Sequence, residues 1–380
     1  MKRKILLITE RRADYSKFKP ILTQIKKSKH LDYYLIVTGT HLLRSHGYTI
    51  NEIRRDGFKI TSTFKMHKKT KKDTGAEMVK TFGRAVINLS KEIEKIKPDI
   101  ILAGFDIGAS LAAAITGAHM NIIVAHVEGG DVTGTIDESI RHAITKFSHI
   151  HFTSNELARW RLIKMGEKPV YVFVVGNPAL DKILQIKNIS QKELQIEFKI
   201  DFSKPYIIMV QHTVTSEVDE VDKNILKTIE AIKELDIQAI VVYGNADAGS
   251  KKISKILKNT KILQYPTIAS EKYINLLKNA SALVGNSSSG IIETPFLHVP
   301  SINIGTRQQG RGNPDSVINV GYNKNEIKKA IEKAINDKVF LKKVKNCQSL
   351  YGDGNAAKKI VKILETINLE TIPVQKKLTY

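Results

Sequence analysis

Apolar and polar positions along the chain alternate between two rhythms. Short unbroken apolar runs, KILLIT, YYLIVTG, DIILAG and NIIVAHV, are separated by helix-length amphipathic segments such as FKPILTQIKKS and GASLAAAITGAHM. The same alternation restarts after about residue 200 in YIIMVQH, AIVVYGN, SALVGNS and SINIG. Continuous apolar runs of strand length are those of strands covered on both faces, and strands separated by helices make βαβ units with a parallel sheet. Two such series predict two doubly wound α/β halves. The mixed stretch around 180–200 is the expected boundary, giving one domain over 1–185 and a second over 186–365. The segment GNAAKKIVKILETINLE reads as a closing amphipathic helix, with 366–380 as a tail. The opening MKRKILLITE has a basic start, but its apolar run stops at Glu10, too short for a signal peptide or a membrane span, so it reads as the first strand.

Composition changes this picture little. The 380 residues are 42% apolar and 26% charged, which suits a globular protein with sizeable cores. A single cysteine, Cys347, excludes a disulfide framework and multi-cysteine metal sites, and fits a cytoplasmic setting. The net charge of +22 is the outlier. Its lysines are spread along helical polar faces (KKSKH, KEIEKIK, NKNEIKKAIEKAINDK), so we read them as solvated decoration, not as a nucleic-acid or membrane surface.

In open α/β sheets ligands bind at the carboxyl ends of strands, which selects the candidate chemistry. The first strand runs into ITERRADYSKF, where Asp14 or Ser16 can cap the next helix and Arg11 and Arg12 offer positive charge to an anion. Neither G-x-G-x-x-G nor G-x-x-x-x-G-K-[ST] is present, so the dinucleotide and P-loop fingerprints are absent. In the second half a strand ends in GNSSSG, whose small residues Ser287, Ser288, Ser289 and Gly290 at a helix start make a phosphate cradle. Glu293 just beyond suits ribose hydroxyls, and Arg307 and Arg311 follow one strand later. His212, after five apolar residues, can donate to a phosphate or carry a proton near neutral pH. Asn245 and Asp247 sit in a turn-like N-A-D-A-G. In the first half Asp106 and Glu128 end strands and Asp137 follows nine residues later. Carboxylates converging on one crevice can have their pKa values pushed apart into a base and an acid. Their spacing matches no compact metal-ligand motif, so no metal is expected, and His126, His149 and His151 alternate along what read as strands.

The segment HVEGGDVTGTIDESIRHAITK, with ADYSK near the start, QHTVTSE, YGNADAGSKK and GNSSSGIIETPF…INIGTRQQGR, closely resembles the hydrolysing UDP-N-acetylglucosamine 2-epimerases, over roughly residues 1–365. These enzymes begin sialic acid synthesis, and relatives act on bacillosamine-type sugar nucleotides. The resemblance implies two Rossmann-like domains in the glycosyltransferase-B arrangement, with the active site in the interdomain cleft and UDP held mainly by the C-terminal domain. It implies conversion of a UDP-sugar substrate, UDP-GlcNAc, to UDP and N-acetylmannosamine without metal or redox cofactor, by a protein that is commonly a homodimer. By motif match Asp106, Glu128 and Asp137 fall on the catalytic acids. His212, Asn245, Ser287, Ser288, Glu293 and Arg307, with Arg12 and Ser16, fall on nucleotide-contacting positions. Two departures stand out. The family's G-D-R is here GFDIGA, with Ile107 in place of arginine, and the glycine before the first-turn arginine is replaced in TERRADYSK.

That chemistry asks for a base at the C2 proton while UDP leaves C1, then water addition across a 2-acetamidoglucal. Cations and helix dipoles would stabilise charge where it develops on the departing diphosphate. His212 and the GNSSSG loop are expected to do this, with Asp106, Glu128 and Asp137 sharing proton abstraction and water activation. The rival readings are a hydrolysing epimerase for a UDP- or GDP-linked diacetamido-trideoxy sugar, the non-hydrolysing epimerase, a retaining glycosyltransferase of the same architecture and, in another class, a basic nucleic-acid-binding protein.

Overall fold

The computed structural model describes residues 2–44, 47–68, 74–133, 136–243, 250–377 and 379, and the chain divides into two compact units. Unit 1 comprises Met1–Asp131, Ile136–Lys182 and Tyr351–Tyr380; unit 2 comprises Val132–Thr135 and Ile183–Leu350.

Unit 1 is built on β1 (Arg3–Thr9), β2 (Leu31–Val37), β3 (Ile60–Thr63), β4 (Ile100–Gly104), β5 (Ile123–Val127), β6 (Ile150–Thr153) and β7 (Val172–Val174). Its helices are α1 (Arg12–Lys27), α2 (Ile50–Arg55), α3 (Gly75–Ile96), α4 (Gly108–His119), α5 (Ile136–Phe147) and α6 (Glu156–Lys164), with α7 (Pro178–Ile183) leading out of it. The sheet order is β3-β2-β1-β4-β5-β6-β7, parallel throughout. Alternate strand residues point to opposite faces, and both faces are covered. Ile5, Leu7, Ile100 and Leu102 meet Phe18, Ile21 and Leu22 of α1 on one side. Leu6, Ile8, Ile101 and Ala103 meet Leu89 and Ile93 of α3 and the alanines of α4 on the other. Double coverage is the reason these strands read as unbroken apolar runs.

Unit 2 repeats the plan with β8 (Tyr206–Val210), β9 (Gln238–Val242), β10 (Leu263–Tyr265), β11 (Ala282–Gly285), β12 (Ser301–Ile304) and β13 (Val317–Val320), in the order β10-β9-β8-β11-β12-β13. The helices are α8 (Gln191–Phe198), α9 (Val221–Glu234), α10 (Ser250–Lys258), α11 (Ser270–Asn279), α12 (Ser289–Phe296), α13 (Lys324–Asn336) and α14 (Lys338–Asn346). Ile207, Met209, Val284 and Ile302 pack against Ile225 and Ile229 of α9 and Ile327 and Ile331 of α13. Both sheets are therefore Rossmann-like and doubly wound. The strand order reverses direction between β1 and β4 in unit 1, and between β8 and β11 in unit 2. A crevice opens at such a point, at the carboxyl ends of the strands.

The course of the last thirty residues differs from the expectation of a second domain reaching 365 and a tail over 366–380. The final helix α15 (Ala356–Thr366) belongs to unit 1, because Ala357, Ile360 and Leu364 enter the core beside α1. The segment beyond it is held to the same unit: Lys376 Nζ donates to the Thr145 carbonyl at the end of α5 (2.8 Å), and the His149 ring meets the Val374 carbonyl (3.0 Å). An apolar stripe does not say which sheet it covers. No helix among the described residues is long and apolar enough to cross a membrane.

Candidate active site

At the switch point of unit 1, Asp106 follows β4 and takes a guanidinium on each oxygen. Arg11 Nη2 lies 3.3 Å from Oδ1, and Arg141 of α5 donates to Oδ2. Arg141 is 2% exposed and also donates to the Asp131 carbonyl (2.9 Å), which ties α5 to the end of β5. Two cations fix this carboxylate in place. One strand along, Glu128 continues β5 by donating its N–H to the Phe152 carbonyl (2.9 Å), then turns the chain with φ +65°. Its side chain is 6% exposed; Oε2 receives Lys17 Nζ from α1 at 2.7 Å, while Oε1 is buried with no hydrogen-bond partner among the described residues. Burial pushes the Glu128 carboxyl above its usual range, with the Asp131 and Asp106 charges adding to it, and Lys17 only partly offsets this.

The turn after Glu128 depends on glycine. Gly130 has φ +82°, and a Cβ there would lie 2.3 Å from the Ala158 carbonyl oxygen, so only hydrogen fits against α6. Beneath the turn, His126 bridges the Phe105 carbonyl (3.0 Å) and the Thr145 hydroxyl (3.1 Å). Because a carbonyl can only accept, Nε2 carries the proton and Nδ1 accepts from Thr145. Asp137, in the first turn of α5, lines an open groove of about 2310 Å³ in unit 1 with Asp106, Arg11 and Ile107.

The start of α1 is organised differently from the expectation that Asp14 or Ser16 caps it. Arg11 is the N-cap residue, and Asp14, inside the first turn, reaches back to accept from the backbone N–H of Glu10 (2.8 Å) and Arg11 (2.9 Å) and from the Thr9 hydroxyl (2.7 Å). Ser16 Oγ donates to the Ala13 carbonyl (2.7 Å), and Arg12 pairs with Glu52 of α2 (3.2 Å). The guanidinium brought to Asp106 is that of Arg11. Glu10 Oε2 accepts from the Ala109 N–H at the start of α4 (2.9 Å).

In unit 2, His212 follows β8 and Asn286 follows β11, and they interlock across the switch point. The His212 N–H donates to Asn286 Oδ1 (2.6 Å), and Asn286 Nδ2 donates back to the His212 carbonyl (2.9 Å). The Asn286 carbonyl also accepts from Arg307 Nη1 (3.1 Å) and Gln308 Nε2 (2.8 Å), so one buried asparagine gathers His212 and Arg307. Burial, then the Arg307 charge, pushes the His212 imidazole down to about 3. It is neutral at pH 7 and would take up a proton only when an anion joins it. Ser287, Ser288 and Ser289 do form the turn into α12, with Ser287 Oγ accepting from the Ser289 N–H (3.3 Å) and Tyr273 donating to Ser289 Oγ (3.1 Å). Gly290 has a packing reason: a Cβ would lie 2.4 Å from Ser301 Oγ of β12. Glu293 is half-buried on α12, and burial followed by its charge raises the Tyr273 phenol. Arg311 Nε donates to the Val132 carbonyl (3.0 Å). Asn245 and Asp247 lie outside the described residues.

The sequence reading did not single out Lys17, Arg141, Glu10 or Asn286 as site residues. Lys17 and Arg141 stood inside quoted motifs, but a cation's partner on a distant strand leaves no local mark. Among the described residues no group of three or more His, Cys, Asp or Glu side chains could hold a metal ion.

Buried neutral histidines also set a pH dependence. His41 and His126 are both 0% exposed, and burial depresses them to about 4 and about 3. A depressed histidine contributes stability that is present above its unfolded pKa of ~6.5 and lost as pH falls toward the folded value. Each therefore costs about 2 kcal/mol between pH 7 and pH 5. Asp14, pushed up to about 6 by burial, works the other way, since its protonated form suits the fold, and returns about 1 kcal/mol over the same interval. Urea melts of unit 1 followed by the fluorescence of Trp160, the single tryptophan, should lose roughly 2–3 kcal/mol from pH 7 to pH 5. An unchanged or rising midpoint would mean that these histidines are not held neutral.

A family model described as UDP-N-acetylglucosamine 2-epimerase matches residues 23–365. A protein of Legionella pneumophila named UDP-N,N'-diacetylbacillosamine 2-epimerase (hydrolyzing) is 34% identical over 98% of both chains. A UDP-N-acetylglucosamine 2-epimerase of Neisseria meningitidis is 36% identical over 87% of both. Among solved structures, the Methanocaldococcus jannaschii UDP-GlcNAc 2-epimerase in complex with UDP-GlcNAc and UDP superposes with a TM-score of 0.77 at 26% identity, covering 96% of this chain and 99% of that one. With two doubly wound sheets, carboxylates at the first switch point, a serine turn at the second and a family match over most of its length, the chain belongs to the UDP-N-acetylglucosamine 2-epimerase family.

Proposed function

We propose that the protein is a hydrolysing 2-epimerase that converts UDP-N-acetylglucosamine and water to UDP and N-acetylmannosamine. The observation that carries this reading is the unequal pair at the first switch point: Asp106 takes a guanidinium on each oxygen, whereas Glu128 is buried, raised in pKa and has a buried Oε1 with no hydrogen-bond partner among the described residues. Carboxyls held in unequal environments can take unequal roles. Glu128 is the proton carrier at C2. Asp106 supports the positive side of the reacting ring and orients Arg11 and Arg141. Asp137, at the groove, activates the water. Abstraction of the C2 proton sends its electron pair into a C1–C2 double bond as the C1–O bond to UDP breaks. Water then delivers hydroxyl to C1 and a proton returns to C2 on the opposite face. The nucleotide is the task of unit 2: Ser287, Ser288 and Ser289 at the start of α12, with Arg307 and a His212 that gains its proton beside the diphosphate, stabilise the leaving UDP, and Glu293 takes the ribose hydroxyls.

A second reading, a hydrolysing epimerase for a UDP-linked diacetamido-trideoxy sugar, is favoured by one observation. Ile107, buried beside Asp106, is an apolar wall where the resemblance leads one to expect arginine, and such a wall suits a deoxy carbon. Proton NMR in D2O with UDP-GlcNAc and with UDP-N,N'-diacetylbacillosamine separates the readings. UDP and N-acetylmannosamine carrying deuterium at C2 support the first, turnover of the diacetamido sugar alone supports the second, and UDP-ManNAc would identify a non-hydrolysing enzyme and overturn both.

A further inference from the structure

The Glu10–Arg11 turn is an irregular segment of unit 1 held by hydrogen bonds from three elements, and the mechanism gives neither of its side chains a contact with substrate. Asp14, buried, accepts from both of its backbone N–H groups (2.8 and 2.9 Å). The Glu10 carbonyl accepts from the Thr40 hydroxyl (3.1 Å), and its carboxylate accepts from the Ala109 N–H (2.9 Å). That last contact fills the positive start of α4 with a side chain of the chain itself, so a substrate anion finds this position taken. Arg11 is held by the same turn yet remains open: its side chain is 45% exposed, Nη2 meets Asp106 at 3.3 Å, and it lines the groove that Ile107 and Asp137 also line. Burial opposes its charge, but Asp106, Asp14, Glu10 and Asp137 together hold it above the usual guanidinium value.

A guanidinium has five N–H donors in a fixed fork and accepts nothing. Nη2 serves Asp106, and Nε lies 3.9 Å from Asp14 Oδ1. The groove is lined by Arg44, Lys65, Lys68 and Arg84 as well as by acids, but the charges that act on Arg11 are the carboxylates Asp106, Asp14, Glu10 and Asp137, and beside them its remaining donors suit a neutral hydrogen-bond acceptor better than a phosphate. Ile107, Leu42 and Leu111 give the same groove an apolar wall. We infer that Arg11 is a specificity-determining residue that binds the sugar ring, donating to a hydroxyl or acylamino carbonyl oxygen of the sugar and not to the nucleotide, with Asp14 and Glu10 as the residues that position it. This inference rests on the sugar-nucleotide reading above and adds to it the side chain that recognises the sugar.

The test compares Arg11→Met, which keeps the stem and removes every donor, and Arg11→Lys with the parent enzyme. Steady-state kcat and KM are measured on the sugar nucleotide that the parent turns over, and UDP affinity by calorimetry. Arg11→Met should lower kcat/KM at least tenfold, mainly through KM, with UDP affinity within twofold of the parent, and Arg11→Lys should recover part of the loss. Unchanged kcat/KM in Arg11→Met, or a parallel loss of UDP affinity, would overturn the assignment. Because Arg11 is half-exposed, both variants should keep the parent's urea midpoint; a lowered midpoint with kinetics that track it would make the residue structural and also overturn the claim. Failure of the parent itself to release UDP from any UDP-linked 2-acetamido sugar would sink the enzymatic reading, a result separate from all of these.

Discussion

Replacing Glu128 by glutamine should lower kcat by about 10²–10⁴-fold, the usual contribution of a positioned proton carrier, while UDP affinity stays within twofold. The substitution keeps shape and volume but removes the only function that the buried Oε1 can serve. Lys17 offers a second arm of the same test. Its ammonium, 2.7 Å from Oε2, holds down a carboxyl that burial pushes up. Lys17→Met should therefore let the Glu128 pKa rise further, moving the acid limb of the pH–rate profile to higher pH. A Glu128→Gln enzyme that retains more than a tenth of the parent turnover would remove Glu128 from the chemistry. An acid limb that does not move in Lys17→Met would show that another group titrates.

Arg141→Met should be strongly destabilising, costing about 3–5 kcal/mol in urea unfolding followed by Trp160 fluorescence. The guanidinium is 2% exposed and joins three things at once: α5, the Asp106 carboxylate and the Asp131 carbonyl. Methionine fills the space but takes one of its two guanidinium partners from a largely buried carboxylate and leaves a buried carbonyl without this donor. Since α5 also carries Asp137, turnover should fall together with stability. A loss below about 1 kcal/mol would show that the pair is screened like a surface one.

Most of the strands were legible in the sequence, and for a physical reason. The central strands β1, β2, β4, β5, β8, β9, β11 and β12 are covered on both faces, so their residues form the continuous apolar runs that were quoted. Of the four edge strands, β3 (ITST), β10 (LQY) and β13 (VINV) carry no such run, because an edge is only partly covered, and were not picked out; β7 (VFV) was not picked out either, although it stands in an apolar run. The same logic divides the site. Asp106, Glu128 and His212 could be named as candidates because a strand-end rule points at them from the local pattern alone. Arg141 and Lys17 were not, because their importance lies in partners 35 and 111 residues away. At the start of α1 the residue types were right and the geometry was not: Asp14 caps from inside the helix, which makes Arg11 the N-cap residue and brings its side chain to Asp106 while Arg12 pairs with Glu52.

The route of the final helix carries a consequence for biogenesis. All of unit 2, 132–135 and 183–350, precedes α15 in the chain, whereas the core of unit 1, whose strands end at Val174, waits for Ala357, Ile360 and Leu364 to cover α1. The usual order of synthesis, in which the first domain finishes first, is inverted here. Until α15 has been made, the earlier unit keeps part of its core uncovered and open to chaperones. Clipping or fusion at the C-terminus would thus reach the half of the molecule that contains Asp106 and Glu128.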